Sequence, residues 1–177
     1  MGQANIPPAA KIIIGLIYHN SAIKVQALAS LERRLGKIDF YSQEMDFNYT
    51  DYYEQELGKP LKRIFVSFKL LRQESLLSGI KLYTNELEKH FSLQEKRQIN
   101  IDPGFLNSGK LILATTKVQK HRIYLGKGIF AEVTLFYGRG TFKPWPWTYL
   151  DYRTKEYIDI FNSIRQIYLQ QMEPAPG

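Results

Sequence analysis

The sequence predicts an α+β fold, with a mixed and mostly antiparallel sheet of six or seven strands and three helices packed on it. Three observations carry this expectation. An unbroken apolar run at residues 12–17 reads as a strand covered on both faces. Three stretches repeat apolar residues at helical spacing, and residues 98–137 alternate short apolar runs with glycine-rich turns.

Taken in order, Ile12, Ile13, Ile14, Leu16 and Ile17 form a central strand. Asn20 or Ser21 caps the helix that follows, Ile23, Ala27, Leu28, Leu31 and Leu35 supply its apolar stripe, and Gly36 suits a left-handed stop. Ile38 and Phe40 alternate with Asp39 and Tyr41, as Ile64, Val66, Phe68 and Leu70 do with Arg63, Phe65, Ser67 and Lys69, which gives two further strands. An acidic, aromatic loop at residues 48–58 lies between them. Leu76, Leu77, Ile80, Tyr83, Leu87 and Phe91 mark a second helix, with Lys89 and His90 complementing its C-terminal dipole. Strands are expected at residues 98–101, 111–116, 121–125 and 129–137, separated at Asp102-Pro103-Gly104, Gly126-Lys127-Gly128 and elsewhere, with Gly138-Arg139-Gly140 closing the last. Tyr157, Phe161, Ile164 and Tyr168 set a closing helix over residues 154–171. The element order is β-α-β-β-α-β-β-β-β-α, with the strand order left open.

A chain of 177 residues with 44% apolar content can bury one core, so residues 11–171 are expected to form a single domain. Residues 1–10, with Pro7 and Pro8, and residues 172–177 carry too little apolar surface to offset ordering and are expected to be flexible. The run at residues 12–17 is too short for a signal peptide or a bilayer span, which points to a soluble, cytoplasmic protein without a membrane partner. The absence of cysteine excludes disulfides, cysteine-ligated zinc, iron–sulfur clusters and thiol catalysis.

The net charge of +7 is unevenly spread. Residues 39–56 hold six carboxylates and no Lys or Arg, whereas Lys110, Lys117, Lys120, Arg122 and Lys127 face no carboxylate within residues 103–131. A second basic stretch, residues 59–72, contains Arg63.

Two glycine patterns invite a nucleotide assignment and do not sustain one. Gly104, Gly109 and Lys110 fit the G-x-x-x-x-G-K spacing, but Leu111 stands where a phosphate loop needs a Ser or Thr for magnesium, and a strand pattern follows in place of a helix. Gly126, Gly128 and Ala131 satisfy a loose dinucleotide fingerprint that also runs into a strand, so a hairpin turn is the better reading.

Lys117, Lys120, His121 and Arg122, close to Thr115 and Thr116, place cations, an imidazole and hydroxyls in one strand connection. Such a group can bind phosphate, with Arg as a fork, Lys as a point charge and His121 donating or moving a proton. The same residues also fit a solvated basic turn. Glu132 on the next strand is a partner for His121 or Arg122, either in a site or as an ordinary cross-strand pair. Asp102 belongs to a turn by default, and becomes a candidate base or metal ligand if it lies beside those cations. Magnesium fits the carboxylates of the acidic loop, although no Ca²⁺-loop spacing is present and no metal ligand set is assigned. Trp145 and Trp147 sit between prolines in an extended edge or surface segment, where they either seal the sheet against the last helix or stack bases.

The segments Leu-Tyr-Thr-Asn-Glu-Leu-Glu (residues 82–88), Asn-Ile-Asp-Pro-Gly-Phe-Leu (100–106), Leu-Ala-Thr-Thr-Lys (113–117), His-Arg-Ile-Tyr-Leu (121–125) and Pro-Trp-Pro-Trp-Thr-Tyr (144–149) resemble an uncharacterised bacterial domain-of-unknown-function family over nearly the whole chain. Some relatives in that family are labelled GTP-binding, a label the glycine pattern of this chain does not support. The resemblance implies no reaction, cofactor or catalytic residue.

Three functions follow as expectations. The first is binding, with or without turnover, of a small phosphate-bearing or nucleotide-like ligand by Lys117, His121, Arg122 and Arg63, with Trp145 and Trp147 as stacking surfaces and His121, Asp102 and Glu132 as catalytic candidates. The second is RNA binding through the basic connections. The third is a scaffold whose acidic segment docks a basic partner, including a second copy of the chain.

Overall fold

The computed structural model describes residues 1–173. Its centre is β1 (Ala10–Tyr18), nine residues that are all buried because both faces of the strand are covered. β1 pairs antiparallel with β4 (Lys62–Arg72) on one side and β5 (Ile99–Leu106) on the other. Ile12, Ile14 and Leu16 pack beneath α1 (Ser21–Leu35) and α3 (Leu77–His90), while Ile13 faces α4 (Lys155–Met172) across the opposite layer. The alternation of a strand thus supplies two cores from one run of isoleucines.

β2 (Ile38–Tyr41) completes this half of the sheet by pairing with β4. The order β2-β4-β1-β5, with α1 joining β1 to β2 and α3 joining β4 to β5, is the split βαβ arrangement of ferredoxin-like folds. Beyond β5 the sheet continues through β6 (Lys110–Thr115), β8 (Ile129–Gly138) and β7 (Ile123–Gly126). β3 (Met45–Asp46) pairs with β4, and β9 (Thr141–Pro144) with β8. The sheet therefore has nine strands where six or seven were expected, and its pairings among the described residues are all antiparallel. The two additions, β3 and β9, are short edge strands with little periodicity to read. α2 (Glu54–Leu57), a single turn within the acidic loop, makes a fourth helix.

Local chemistry explains several boundaries. The Asn20 side chain accepts the Ala22 N–H at the start of α1, and Gly36 ends that helix at φ 104°. Thr154 caps α4 by accepting the Tyr157 N–H. Lys127-Gly128 and Arg139-Gly140 form two-residue hairpin turns, and each of these four residues takes a positive φ. In the α4 layer, Phe65 meets Tyr157 and Phe161 edge-on at centroid distances of 4.7 and 4.9 Å. Lys11, on that same face of β1, is fully buried and donates to Asp39, Gln171 and the Phe68 carbonyl, tying the end of α4 to three strands.

Residues 102–104 depart from the expected turn, because they run inside β5. β6 pairs with β5 only through Gly104, Phe105 and Leu106, so residues 99–103 have a strand neighbour on one side alone. On the open side, Ile101 donates its N–H to Glu88 and accepts from Lys81, both on α3. Two residues further, Pro103 presents its ring nitrogen to the same side, where no ladder bond is lost. Gly104 is a close-approach glycine, since a Cβ there would lie 2.4 Å from the Ile112 carbonyl oxygen. Gly109 sits in the hairpin between β5 and β6, so the G-x-x-x-x-G-K spacing is a strand and its turn.

Residues 1–9 carry no regular secondary structure, and β1 begins one residue earlier than expected, at a buried Ala10. α4 extends to Met172, and residues 174–177 of the expected C-terminal tail lie outside the described residues.

Candidate functional site

Where β5 and β6 part, a cavity of about 730 Å³ opens, within the size range of small-molecule sites. One wall comes from the exposed flank of β5 and the α3 side chains behind it, and the facing wall from the end of β6 and residues 115–117. The aromatic loop before α2 contributes Tyr49, Tyr52 and Tyr53, and Tyr149 comes from the segment after β9. The loop read from sequence as acidic and aromatic thus turns its aromatic side to the cavity. Two of its three carboxylates are paired: Glu56 grips Arg97 through two hydrogen bonds of 2.7 and 2.6 Å, and Glu54 pairs with Lys59.

Arg63 projects from β4 with a guanidinium only 1% exposed. Phe47, Phe65, Tyr152 and Tyr157 surround it, with ring centroids 4.5–5.9 Å from Cζ. It donates to the Tyr152 hydroxyl at 2.6 Å, stands 3.6 Å from Asp102, and its Nε has no hydrogen-bond partner among the described residues. Gly15, opposite Asp102 across the β1–β5 ladder, makes room for this group, since a Cβ there would fall 2.7 Å from Arg63 Nη2.

Asp102 accepts from Asn100 at 2.7 Å and lies 3.8 Å from the Lys81 ammonium. Glu88 accepts from the Ile101 N–H and from Arg97, and burial pushes its carboxyl up. Burial also raises the Asp151 carboxyl, against the opposing pull of Arg63. Burial raises the Tyr53 hydroxyl as well, with Asp102 adding to the effect.

Of the residues singled out from sequence, Arg63, Asp102, Lys117, Arg122 and Glu132 line this one cavity. Lys117 places its ammonium 4.3 Å over the Tyr52 ring and has no carboxylate partner among the described residues. Arg122 is heavily committed: it donates to Glu132 at 2.8 Å, to the Lys117 carbonyl and to the Tyr149 hydroxyl. Glu132 also pairs with His121 at 3.0 Å, so the two partners considered for it share one carboxylate oxygen. His121, Trp145 and Trp147 are not among the lining residues. They form a stack, with Trp147 5.2 Å from His121 and 5.1 Å from Trp145, and Trp147 donates its indole N–H to the Val133 carbonyl.

The chain belongs to the family described as Domain of unknown function (DUF4416). The family model matches residues 8–168, which takes in every strand and helix wall of the cavity. No match to this DUF4416 chain was found among curated proteins or among solved structures.

Several residues of the site were not singled out from sequence, notably Lys81, Glu88, Arg97, Tyr53, Tyr149 and Asp151. A signal for two of them existed. Leu77, Ile80, Lys81, Thr84, Leu87 and Glu88 fall on one helical stripe and are all buried, so two charges interrupt the apolar face of α3. Among the described residues no group of three His, Asp or Glu side chains gathers to hold a metal ion, and no helix is long and apolar enough to cross a membrane.

Proposed function

We propose that the protein binds a small phosphate-bearing or nucleotide-like ligand in the cavity between β5 and β6. The observation that carries this is Lys117, a cation without a carboxylate partner among the described residues, held over Tyr52 at the edge of an aromatic-walled cavity. An ammonium supplies charge to a phosphoryl group, and tyrosine faces accept a planar ring or a sugar face. Arg63 lines the same cavity and adds positive charge behind it, offset in part by Asp102 at 3.6 Å. A cytoplasmic setting suits such ligands.

The other two functions draw less support. Trp145 and Trp147 spend ring faces on each other and on His121, which leaves a smaller platform for RNA bases. Five of the six carboxylates of the acidic segment pair within the chain, Asp39 with Lys11, Glu44 with Lys24, Asp46 with Lys62, Glu54 with Lys59 and Glu56 with Arg97, so little free negative charge remains to dock a basic partner.

The test is a thermal-shift screen against nucleotides, phosphorylated metabolites and short RNA, with and without magnesium. A ligand at about a hundred times its dissociation constant stabilises by roughly 2.7 kcal/mol, or about 5–10 °C for a chain of this size. The shift should be confined to one phosphate-bearing class and shrink in Lys117→Ala and Tyr52→Ala. Chromatography of the same mixtures reads any turnover. No shift with any compound would overturn the proposal.

A further inference from the structure

Of the four carboxylates that line the cavity, Asp151 is only 8% exposed, and the other three differ in what remains free on them. Glu88 is used on both oxygens, by the Ile101 N–H and by Arg97. Glu132 takes His121 and Arg122 on one oxygen and faces the Thr134 hydroxyl with the other. Asp102 is different. Its Oδ2 accepts from Asn100, and its Oδ1 receives no hydrogen bond among the described residues, with the Lys81 ammonium 3.8 Å away. Its side chain is 26% exposed, against 7% for Glu88 and 3% for Glu132.

Asp102 is also held in place. It stands in the middle of β5, whose neighbour β1 fixes its register opposite Gly15, and Asn100 on the same strand orients its carboxylate. Arg63 and Lys81, both buried, flank it at 3.6 and 3.8 Å without closing either contact into a hydrogen bond. A strand-borne carboxylate oriented by a neighbour, with a free oxygen toward a cavity, is the arrangement that recognises a hydrogen-bond donor.

We propose that Asp102 accepts a hydroxyl hydrogen bond from the ligand, so that the site selects phosphorylated compounds bearing a sugar or polyol over phosphate alone. This rests on the phosphate-ligand function proposed above: Lys117 supplies the charge for the phosphoryl group, and Asp102 reads the hydroxylated part. The free Oδ1 is the acceptor, and no proton changes owner on binding. A ligand lacking the hydroxyl leaves that oxygen to lose water without replacement, which is where selectivity arises.

The experiment measures dissociation constants by calorimetry for wild-type protein with ribose 5-phosphate, adenosine and guanosine monophosphates, their 2′,3′-dideoxy counterparts, and inorganic phosphate. The hydroxylated member of each pair should bind roughly tenfold or more tightly than its dideoxy counterpart, as expected for a hydrogen bond to a charged group. In Asp102→Ala that preference should fall to about unity. Ribose 5-phosphate binding as well as the nucleotides would assign the contact to the sugar phosphate, and nucleotide binding alone would add the base to the recognised group. Equal affinity of wild-type protein for hydroxylated and dideoxy ligands would overturn the role of Asp102 while leaving the phosphate site standing. Binding of none of the compounds would overturn the phosphate site itself. The wild-type comparison needs no variant, so a poorly folded Asp102→Ala does not rescue the proposal.

Discussion

Replacing Gly104 by alanine is expected to destabilise the protein by about 3 kcal/mol, while the same change at Gly109, five residues away, is nearly silent. An added Cβ at position 104 would lie 2.4 Å from the Ile112 carbonyl oxygen, 2.8 Å from Leu113 Cδ2 and 3.2 Å from Ile13 Cδ1. Ordinary non-bonded contact begins near about 3.5 Å, so β6 has to retreat by about 1 Å along a ladder of only three residue pairs. The closest atom belongs to the backbone and cannot rotate away, which puts the cost at the top of the roughly 1–3 kcal/mol range for overpacking. At position 109 the nearest atom is Asn107 Oδ1 at 3.9 Å and the backbone is not in the left-handed region, so the change should stay within about 0.5 kcal/mol. Urea unfolding with matched slopes measures both, and the melting temperature of Gly104→Ala should fall by about 6–12 °C. A Gly104→Ala variant within about 0.5 kcal/mol of wild type would refute the close approach and return residues 102–104 to the status of a tolerant turn.

Other perturbations address the charges and the core. Asp151→Asn should become progressively more favourable relative to wild type as pH rises. The raised carboxyl contributes fully below its ordinary value of 3.8, and that contribution is lost as pH climbs through the raised one, whereas Asn stays neutral. Urea midpoints of both proteins between about pH 4 and about pH 7 check this, and a difference that does not move with pH would contradict it. Arg97→Lys should cost about 2 kcal/mol by chemical denaturation, because a lysine cannot hold Glu56 through two bonds and also reach Glu88. Full stability in that variant would mean the fork is dispensable. Phe161→Ala, which removes a fully buried ring stacked on Tyr152 and edge-on to Phe65, should cost about 3–5 kcal/mol on the same assay.

The long periodic elements were legible in the sequence because their residues answer to one requirement each. The helices α1, α3 and α4 emerge from apolar spacing, and Asn20 and Thr154 mark two of the starts. The order β-α-β-β-α-β already contains the split βαβ unit, although nothing local says that β4 inserts between β1 and β2. Asp102-Pro103-Gly104 was misleading for a physical reason. Turn residues are also what a strand uses where it has one open side and a neighbour pressed against its backbone. The basic connection at residues 115–122 was legible as charge, but its division of labour was not: Lys117 has no carboxylate partner among the described residues, while Arg122 is spent on Glu132, Tyr149 and a carbonyl. Tyr49, Tyr52 and Tyr53 were legible as an aromatic loop, but their role as a cavity wall was not, because it depends on the sheet bringing residues 113–117 to the same cavity.

Lys81 and Glu88 have a mechanical consequence. They stand seven positions apart on α3, two helical turns, and converge on the carbonyl and the N–H of a single residue, Ile101. A slide of α3 along the sheet in either direction breaks one contact by stretching and the other by overshoot, so the helix is pinned lengthwise as if by a pair of calipers. Shear, the usual motion of a helix packed on a sheet, is blocked at this wall. A change in the volume of the cavity is then left to its other side, where the tyrosine-bearing segment is held through Glu56 and Arg97, and the connection at residues 116–122 through His121 and Arg122.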